Sequence, residues 1–213
     1  MKVLLTAFDA FGGESINPAQ EAVRLVRAES FDAEIVKMDI PTVFDKSIKL
    51  VLRAMKKHKP NVVLCVGQAG GRSEITPERV AINIDDSRGT DNEGNQPVDR
   101  TIFADGAAAY FSLLPIKAMV AAMKDAGIPA SVSNTAGTFV CNHLMYGVLY
   151  HIHKSFPGVR GGFIHVPYIP EQVMERPGVP ALPLEVITRG IEVSIQVILD
   201  HPVDIVQAGG SVC

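Results

Sequence analysis

NVVLCVG, residues 61–67, sets five apolar side chains in succession between an asparagine and a glycine. A run of strand length without alternating polar residues is typical of a strand covered on both faces, as in the middle of a parallel sheet. Residues 42–58, just before it, carry apolar side chains at helical spacing, and Thr42 and Asp45 have the spacing of a capping box. The stretch therefore predicts the central strand of an α/β sheet, preceded by a helix that begins near Thr42.

Segments of the two kinds alternate on both sides of this strand. Runs of strand length lie at residues 3–6, 33–39, 79–85, 129–134 and 161–167. Amphipathic runs of helical length lie at residues 17–29, 114–127, 141–156 and 182–199. Because such alternation builds parallel sheets with helices on both faces, the sequence predicts one three-layer α/β/α domain over residues 1–213 with a mostly parallel central sheet.

Composition and charge argue against several classes of function. The chain of 213 residues has a net charge of −3 with both signs interspersed, which predicts binding neither to nucleic acid nor to a membrane surface. No run approaches the ~20 apolar residues of a membrane span, and the run Val3–Leu5 is too short for a signal peptide. The three cysteines lack paired spacing, which indicates reduced thiols and a cytoplasmic location.

The carboxyl ends of the predicted strands are where a ligand should bind, because open α/β sheets bind ligands at that edge. Four segments follow the strands directly: AFDAFGG at 7–13, GQAGGR at 67–72, NTAGTFVC at 134–141 and HVPYIP at 165–170. Chemistry is therefore expected in these four segments.

The cysteines differ in position. Cys65 lies inside the central strand and is interpreted as a small buried hydrophobe, and Cys213 is the last residue. Cys141 lies where a loop passes into a helix, and a helix start lowers the pKa of a thiol and offers backbone N–H groups to a developing oxyanion. Position alone leaves two interpretations of Cys141 open, a nucleophile and a buried hydrophobe.

A nucleophilic Cys141 needs a base, and the six histidines offer one suitable position. His143 lies two residues further along the same helix, so its side chain points away from that of Cys141. His165 ends the predicted strand at 161–167 and lies on the edge of the sheet where Cys141 is expected. His165 is therefore the candidate base, with a structural hydrogen-bonding role as the alternative.

Other motifs give weaker evidence for a function. Glu78 could orient the imidazole of such a pair, or it could be a surface residue paired with Arg79 or Arg72. The glycines of GQAGGR match neither a dinucleotide fingerprint nor a P-loop, so they indicate only a close backbone approach to a ligand. The segments CNH and HIH lack the spacing of metal ligands on one helix face, and the sequence predicts no metal site.

Several long segments, in order along the whole chain, resemble the pyroglutamyl peptidase I (pyrrolidone-carboxylate peptidase) family of cysteine peptidases. They are LLTAFDAFGGESINPA, GQAGGRSEITPERVAIN, DNEGNQPVD, SNTAGTFVCN and GGFIHVPYIPEQ. The departures are Ala7, where the family more often has glycine, and Ala107, where proline is common. Neither departure removes a catalytic group.

The resemblance implies an activity and roles. The chain would hydrolyse the N-terminal pyroglutamyl residue from peptides through a thioester acyl-enzyme, without a metal or cofactor. Cys141 would be the nucleophile, His165 the general base and then acid, and Glu78 the orienting carboxylate. Arg88 would lie near the oxyanion, and the protein would be a cytoplasmic homotetramer.

A pyroglutamyl ring is flat and neutral, so its pocket needs apolar walls and a few amide partners. Phe8, Phe11, Phe139 and Val140 can form walls, and Gln68 and Asn17 can supply hydrogen bonds. Such a site excludes an ordinary N-terminus, whose ammonium would be buried without a partner.

Two other functions remain as alternatives. One is a nucleoside phosphorylase or an aminoacyl-ester hydrolase on a similar scaffold, in which the GQAGGR loop binds phosphate or ribose and Cys141 is incidental. The other is a catalytically silent module that binds pyroglutamyl peptides. The presence of all three candidate catalytic residues disfavours the silent module.

Overall fold

Seven strands occur in the part of the chain that the computed structural model describes, residues 1–210. They are β1 (Lys2–Phe8), β2 (Glu34–Ile40), β3 (Val62–Gln68), β4 (Thr76–Pro77), β5 (Val80–Ile82), β6 (Ala109–Phe111) and β7 (Arg160–Val166). Five of them form the central sheet in the order β2-β1-β3-β7-β4, and only β4 runs antiparallel to its neighbour. Strands β5 and β6 form a separate antiparallel pair.

The strand β3 lies in the middle of the sheet and is buried along its whole length. Its side chains divide between two cores, with Val62, Leu64 and Val66 in one and Val63 and Cys65 in the other. The prediction of a central strand covered on both faces is confirmed.

Helices cover the two faces. They are α1 (Pro18–Leu25), α2 (Lys46–His58), α3 (Ile116–Asp125), α4 (Val140–Ser155), α5 (Pro170–Val173) and α6 (Leu184–Asp200). Helices α1, α3 and α6 pack on one face, and α2 and α4 pack on the other. The predicted three-layer α/β/α domain with a mostly parallel sheet is confirmed.

Local details differ from the sequence-based expectations. Helix α2 begins at Lys46 rather than near Thr42, and its N-cap residue Asp45 makes no side-chain capping bond. The backbone amide of Thr42 instead donates to Asp9 Oδ1, and that of Phe44 donates to Asp91 Oδ2. Contacts with distant residues therefore replace the predicted capping box.

Two predicted strands are also revised. Residues 129–134 make only isolated bridges, at Ala130 and Ser133, instead of a strand. The strand expected at 79–85 is shorter, Val80–Ile82, and lies outside the central sheet. Cys213 lies outside the described residues, and none of the helices within residues 1–210 has the length and apolar character needed to cross a membrane.

Candidate active site

The predicted nucleophile and base meet at the carboxyl end of the sheet. His165 of β7 is the register partner of Gly67 of β3, so both residues face the same side. That side is covered by α4, whose second residue is Cys141. A Cβ atom placed on Gly67 would lie 3.2 Å from Cys141 Sγ, so the sulfur rests directly against the glycine. The missing side chain of Gly67 leaves the space that the thiol occupies.

Helix α4 begins without a capping side chain. Its N-cap residue, Phe139, makes no side-chain hydrogen bond, and the first amide of the helix to bond back within it is that of His143, which donates to Phe139 O at 3.1 Å. The amides of Val140, Cys141 and Asn142 therefore lack intrahelical partners. Such amides at a helix start can bind a negatively charged oxygen.

Cys141 and His165 line one cavity of about 450 Å³. Among the residues predicted for substrate binding, Phe11, Gln68 and Phe139 line the same cavity. The rings of Phe11 and Phe139 lie 6.1 Å apart, centroid to centroid, at 39°. The cavity is therefore apolar on one side and carries the thiol, the imidazole and an amide elsewhere on its wall.

Glu78 holds the imidazole from behind. It follows β4 directly, and its backbone amide donates to Phe163 O at 2.9 Å, which fixes the residue beside β7. His165 Nδ1 lies 2.7 Å from Glu78 Oε1, and the Glu78 side chain is fully buried. Because an ionised carboxylate only accepts hydrogen bonds, Nδ1 carries the proton and Nε2 is left free to accept one. The prediction that Glu78 lies next to His165 agrees with this geometry.

Burial sets the protonation states of these groups. Burial raises the pKa of the Cys141 thiol to about 12, with the charge of Glu78 acting in the same direction. This rise is opposite in direction to the lowering that a helix start predicts. Burial also lowers the pKa of His165, against the opposing effect of Glu78. The resting pair is thus a neutral thiol and a neutral imidazole.

The carboxyl of Glu78 is ionised in this setting. Burial by itself acts to raise its pKa, but the hydrogen bond from His165 and the positive charge of Arg72 outweigh burial and hold the pKa below its ordinary value. A negative carboxylate next to His165 stabilises an imidazolium that forms during a reaction.

The other predicted binding residues lie outside this cavity. Phe8 and Val140 are buried in the core behind it, where the Phe8 ring lies 6.3 Å from that of Phe163. Asn17 is fully buried and caps α1, accepting from the amide of Ala19 at 3.0 Å. Arg88 is exposed and lines a neighbouring cavity of about 520 Å³ that shares Phe11 and Phe139 with the first one.

Three residues at the site were not predicted from the sequence to have a role there. Arg72 contacts Glu78, and Tyr168 and Glu14 line the cavity beside it. All three lie in or next to segments that follow strands, so their positions were indicated but not their roles.

His143, excluded as the base, has a structural partner of its own. Its Nδ1 lies 2.9 Å from Oδ2 of the fully buried Asp85, and its Nε2 accepts from the amide of Asp45 at 2.8 Å. Arg100 also donates to Asp85 Oδ2, at 2.7 Å. This histidine therefore joins the start of α2 and the loop after β5 to α4.

Residues 1–210 contain no cluster of three or more histidine, cysteine, aspartate or glutamate side chains arranged to hold a metal ion. The chemistry here is that of a thiol and an imidazole on the cavity wall, with a buried carboxylate behind the imidazole. That order of groups is the arrangement of a nucleophile, its base and an orienting carboxylate.

Comparisons with known proteins agree on one family. A family model described as pyroglutamyl peptidase matches residues 1–201. A relative from Clostridium botulinum, named pyrrolidone-carboxylate peptidase, is 57% identical over 213 residues, and the match covers 100% of both chains. The crystal structure of pyroglutamyl peptidase I from Bacillus amyloliquefaciens is 53% identical, with a TM-score of 0.93, and the match covers 96% of this chain and 99% of that one. A mutant pyrrolidone carboxyl peptidase from Pyrococcus furiosus is 38% identical, with a TM-score of 0.90 over 94% of this chain and 99% of that one.

Proposed function

The chain belongs to the pyroglutamyl peptidase family, and from that membership we propose that Cys141 is its nucleophile, His165 its general base and acid, and Glu78 the carboxylate that orients the imidazole. The family comprises cysteine peptidases that remove N-terminal pyroglutamate, and the chain is a hydrolase of this class. The observation that supports the residue roles most is the shared cavity wall of Cys141 and His165, with Glu78 2.7 Å behind the imidazole.

Acylation follows from the tautomer that Glu78 imposes. The imidazole of His165 donates from Nδ1 to Glu78, so Nε2 takes the proton from Cys141 Sγ as the sulfur attacks the carbonyl carbon of the pyroglutamyl residue. In this mechanism a hydrogen bond between the sulfur and Nε2 forms when substrate fills the cavity. The carbonyl oxygen becomes an oxyanion and is stabilised by the unpaired amides at the start of α4. The Nε2 proton then passes to the leaving amine, and a thioester remains on Cys141.

Deacylation reverses the proton movements. Water loses a proton to His165 Nε2 and attacks the thioester carbonyl, and the sulfur leaves and regains its proton. Pyroglutamate is released and the neutral thiol–imidazole pair is restored. Because each imidazolium forms beside the buried Glu78 carboxylate, that charge lowers the barrier to both steps.

Substrate selection is assigned to the residues predicted from the sequence. The rings of Phe11 and Phe139 are the proposed walls for the flat lactam, and Gln68 is the proposed amide partner. Phe8, Asn17 and Val140 are buried outside the cavity lining, and Arg88 lines the neighbouring cavity. Between the two phenyl rings a free N-terminal ammonium would lose its hydration without a hydrogen-bond partner, although Glu14 lines the same cavity, so ordinary peptides are expected to bind less well there.

The setting of the enzyme is also part of the proposal. One peptidase domain spans residues 1–213, acts on pyroglutamyl peptides in the cytoplasm, and assembles as a homotetramer. Light scattering coupled to gel filtration tests the assembly, and a monomeric mass at micromolar concentration would contradict it.

A turnover assay tests the activity and the nucleophile together. The wild-type protein is expected to release a fluorophore from its pyroglutamyl amide and not from its prolyl amide, and to leave inosine intact in the presence of phosphate. Cys141→Ala is expected to lower kcat by at least about 10³-fold because the covalent step is lost.

Cys65→Ala is the matched control for this variant. It removes the second buried thiol of the described residues, which lies in the same core but outside the cavity, and it should keep turnover. Turnover by Cys141→Ala near the wild-type rate would refute the mechanism. Equal cleavage of the prolyl amide would refute the proposed specificity.

A further inference from the structure

One carboxylate oxygen of Glu78 accepts hydrogen bonds from two donors. Glu78 Oε1 lies 2.7 Å from His165 Nδ1 and 2.6 Å from Arg72 Nη1. The Glu78 side chain is fully buried, and its second oxygen, Oε2, has no partner among the described residues. The buried carboxylate is therefore held by a base on one side and by a permanent cation on the other.

Arg72 in the loop after β3 is held by hydrogen bonds to residues of β4, to Glu78 and to the segment before Cys141. Its Nη1 also donates to Thr76 Oγ1 at the start of β4, and its Nη2 donates to Thr135 O at 3.0 Å. Thr135 lies in the segment that leads into Cys141, and Arg72 itself lines the cavity with 28% of its side chain exposed. The guanidinium thus connects the loop after β3, the orienting carboxylate and the approach to the nucleophile.

We propose that Arg72 is a positioning residue of this active site, which fixes the Glu78 carboxylate against His165 and keeps the imidazole in its neutral, proton-accepting form at neutral pH. The inference rests on the proposed function. Arg72 acts through Glu78 and through the charge at the site.

The charge of the site gives the reason for such a residue. A buried carboxylate that faced His165 alone would favour a protonated imidazolium, which cannot accept the proton of Cys141. The positive charge of Arg72 opposes a second positive charge on the same carboxylate, and it acts to lower the pKa of both His165 and the Cys141 thiol. The imidazole therefore keeps Nε2 free while its orientation is retained.

Other groups that face the imidazole come from every element packed around it. Glu78 after β4 and Arg72 after β3 act on the imidazole, Cys65 on β3 acts on Cys141 of α4, and Glu14 and Tyr168 line the cavity. Among these groups only Glu78 is a carboxylate in contact with the imidazole, so removal of Arg72 leaves that negative charge without its cation.

Three variants test the proposal. Arg72→Met removes the charge and the hydrogen bonds, and Arg72→Lys keeps the charge but loses the fixed two-pronged contact with Glu78 and Thr135. Arg79→Met is the matched control. Arg79 follows Glu78 directly in the chain, but its side chain donates to Asn134 Oδ1 and Gly209 O instead of the carboxylate. The readouts are the pH profile of kcat/KM on the pyroglutamyl amide, the separate kcat and KM values, and the rate of Cys141 alkylation by iodoacetamide.

Arg72→Met is expected to lower kcat by about 10- to 100-fold, as is typical when a partner that orients a reacting group is lost. KM should change little, the acid limb of kcat/KM should move to higher pH because the imidazole keeps its proton longer, and alkylation at a fixed pH should slow. Arg72→Lys is expected to restore the acid limb of the wild type while kcat stays lowered. Arg79→Met should match the wild type in all three readouts.

Two results would overturn the proposal. One is an acid limb in Arg72→Met that coincides with the wild type although kcat has fallen, which is the behaviour of a purely structural residue. The other is a wild-type kcat in Arg72→Lys, a variant that remains informative if Arg72→Met does not fold. An inactive wild-type protein would refute the proposed function instead, so the two failures are distinguishable.

Discussion

Gly67→Ala tests whether the thiol depends on the empty space that this glycine leaves in β3. The added Cβ would lie 2.8 Å from Phe163 Cζ, 3.1 Å from Phe163 Cε1 and 3.2 Å from Cys141 Sγ. Carbon atoms in contact prefer about 3.5–4.0 Å, so the ring must retreat by about 1 Å. The ring is 1% exposed and is flanked by Phe8 and His165, at 6.3 and 4.8 Å between centroids. The displacement therefore passes to the imidazole and the sulfur.

The magnitudes follow from these contacts. Overpacking of this kind costs about 1–3 kcal/mol, and the entropy gained by replacing glycine offsets about 0.4–1 kcal/mol of that cost. A misplacement of about 1 Å between reacting groups lowers the rate by about 10²-fold. Gly67→Ala is therefore expected to lose about 1–2 kcal/mol in the free energy of unfolding and about 10²-fold in kcat, while KM changes little.

Urea unfolding and turnover of a pyroglutamyl amide measure the two effects separately. Gly161→Ala is the matched control on the same face of β7, where the new Cβ would lie 2.6 Å from Ile152 Cδ1, the end of a flexible side chain away from the site. This control should lose some stability and keep its kcat. A Gly67→Ala variant that turns over at the wild-type rate would refute the conclusion that the glycine sets the position of the thiol.

Two further predictions concern buried carboxylates. The pKa of Glu78 is lowered in the folded state, so its charge stabilises the fold fully above the ordinary glutamate pKa of about 4.3. This stabilisation is lost progressively as the pH falls from there through the lowered pKa of the folded state. Urea unfolding should thus show Glu78→Gln less stable than the wild type at pH 7, with the difference closing in acid; a difference independent of pH would contradict the ionised assignment. Asp85→Asn removes the charge between His143 and Arg100 and should cost about 3 kcal/mol in unfolding free energy. A loss below about 1 kcal/mol would show that His143 and Arg100 do not depend on that carboxylate.

The sequence allowed the central strand and the edge of the sheet that carries the chemistry to be predicted. The run at 61–67 is typical of a central strand in a parallel sheet, and His165 lies one residue before the end of the neighbouring strand β7. Both features depend on local pattern and on the general rule that ligands bind at strand carboxyl ends. That rule also predicts the placement of Cys141 and His165 on one cavity wall.

Features that depend on distant partners could not be predicted in the same way. The capping box at Thr42 fails because Asp9 and Asp91, 33 and 47 residues from their partners, take the amides near it. Arg72 is one of two arginines that the sequence offers as partners of Glu78, and only the folded chain brings Thr135, 63 residues further along, to its other end. The sequence does not distinguish a helix cap from a ligand-binding amide at Asn17, whose side chain accepts from the Ala19 amide in the folded chain.

The part of the active site that lies on helix α4 should stay intact for as long as the whole protein stays folded. Twelve of its sixteen residues are buried, so its hydrogen-bonded amides, from His143 onward, are expected to exchange with solvent mainly when the protein unfolds as a whole. The nucleophile and the oxyanion amides lie at the start of that helix and depend on its packing. Catalytic activity should therefore persist in rising denaturant up to the global unfolding transition, and hydrogen exchange of α4 reports how often a molecule passes through an inactive state.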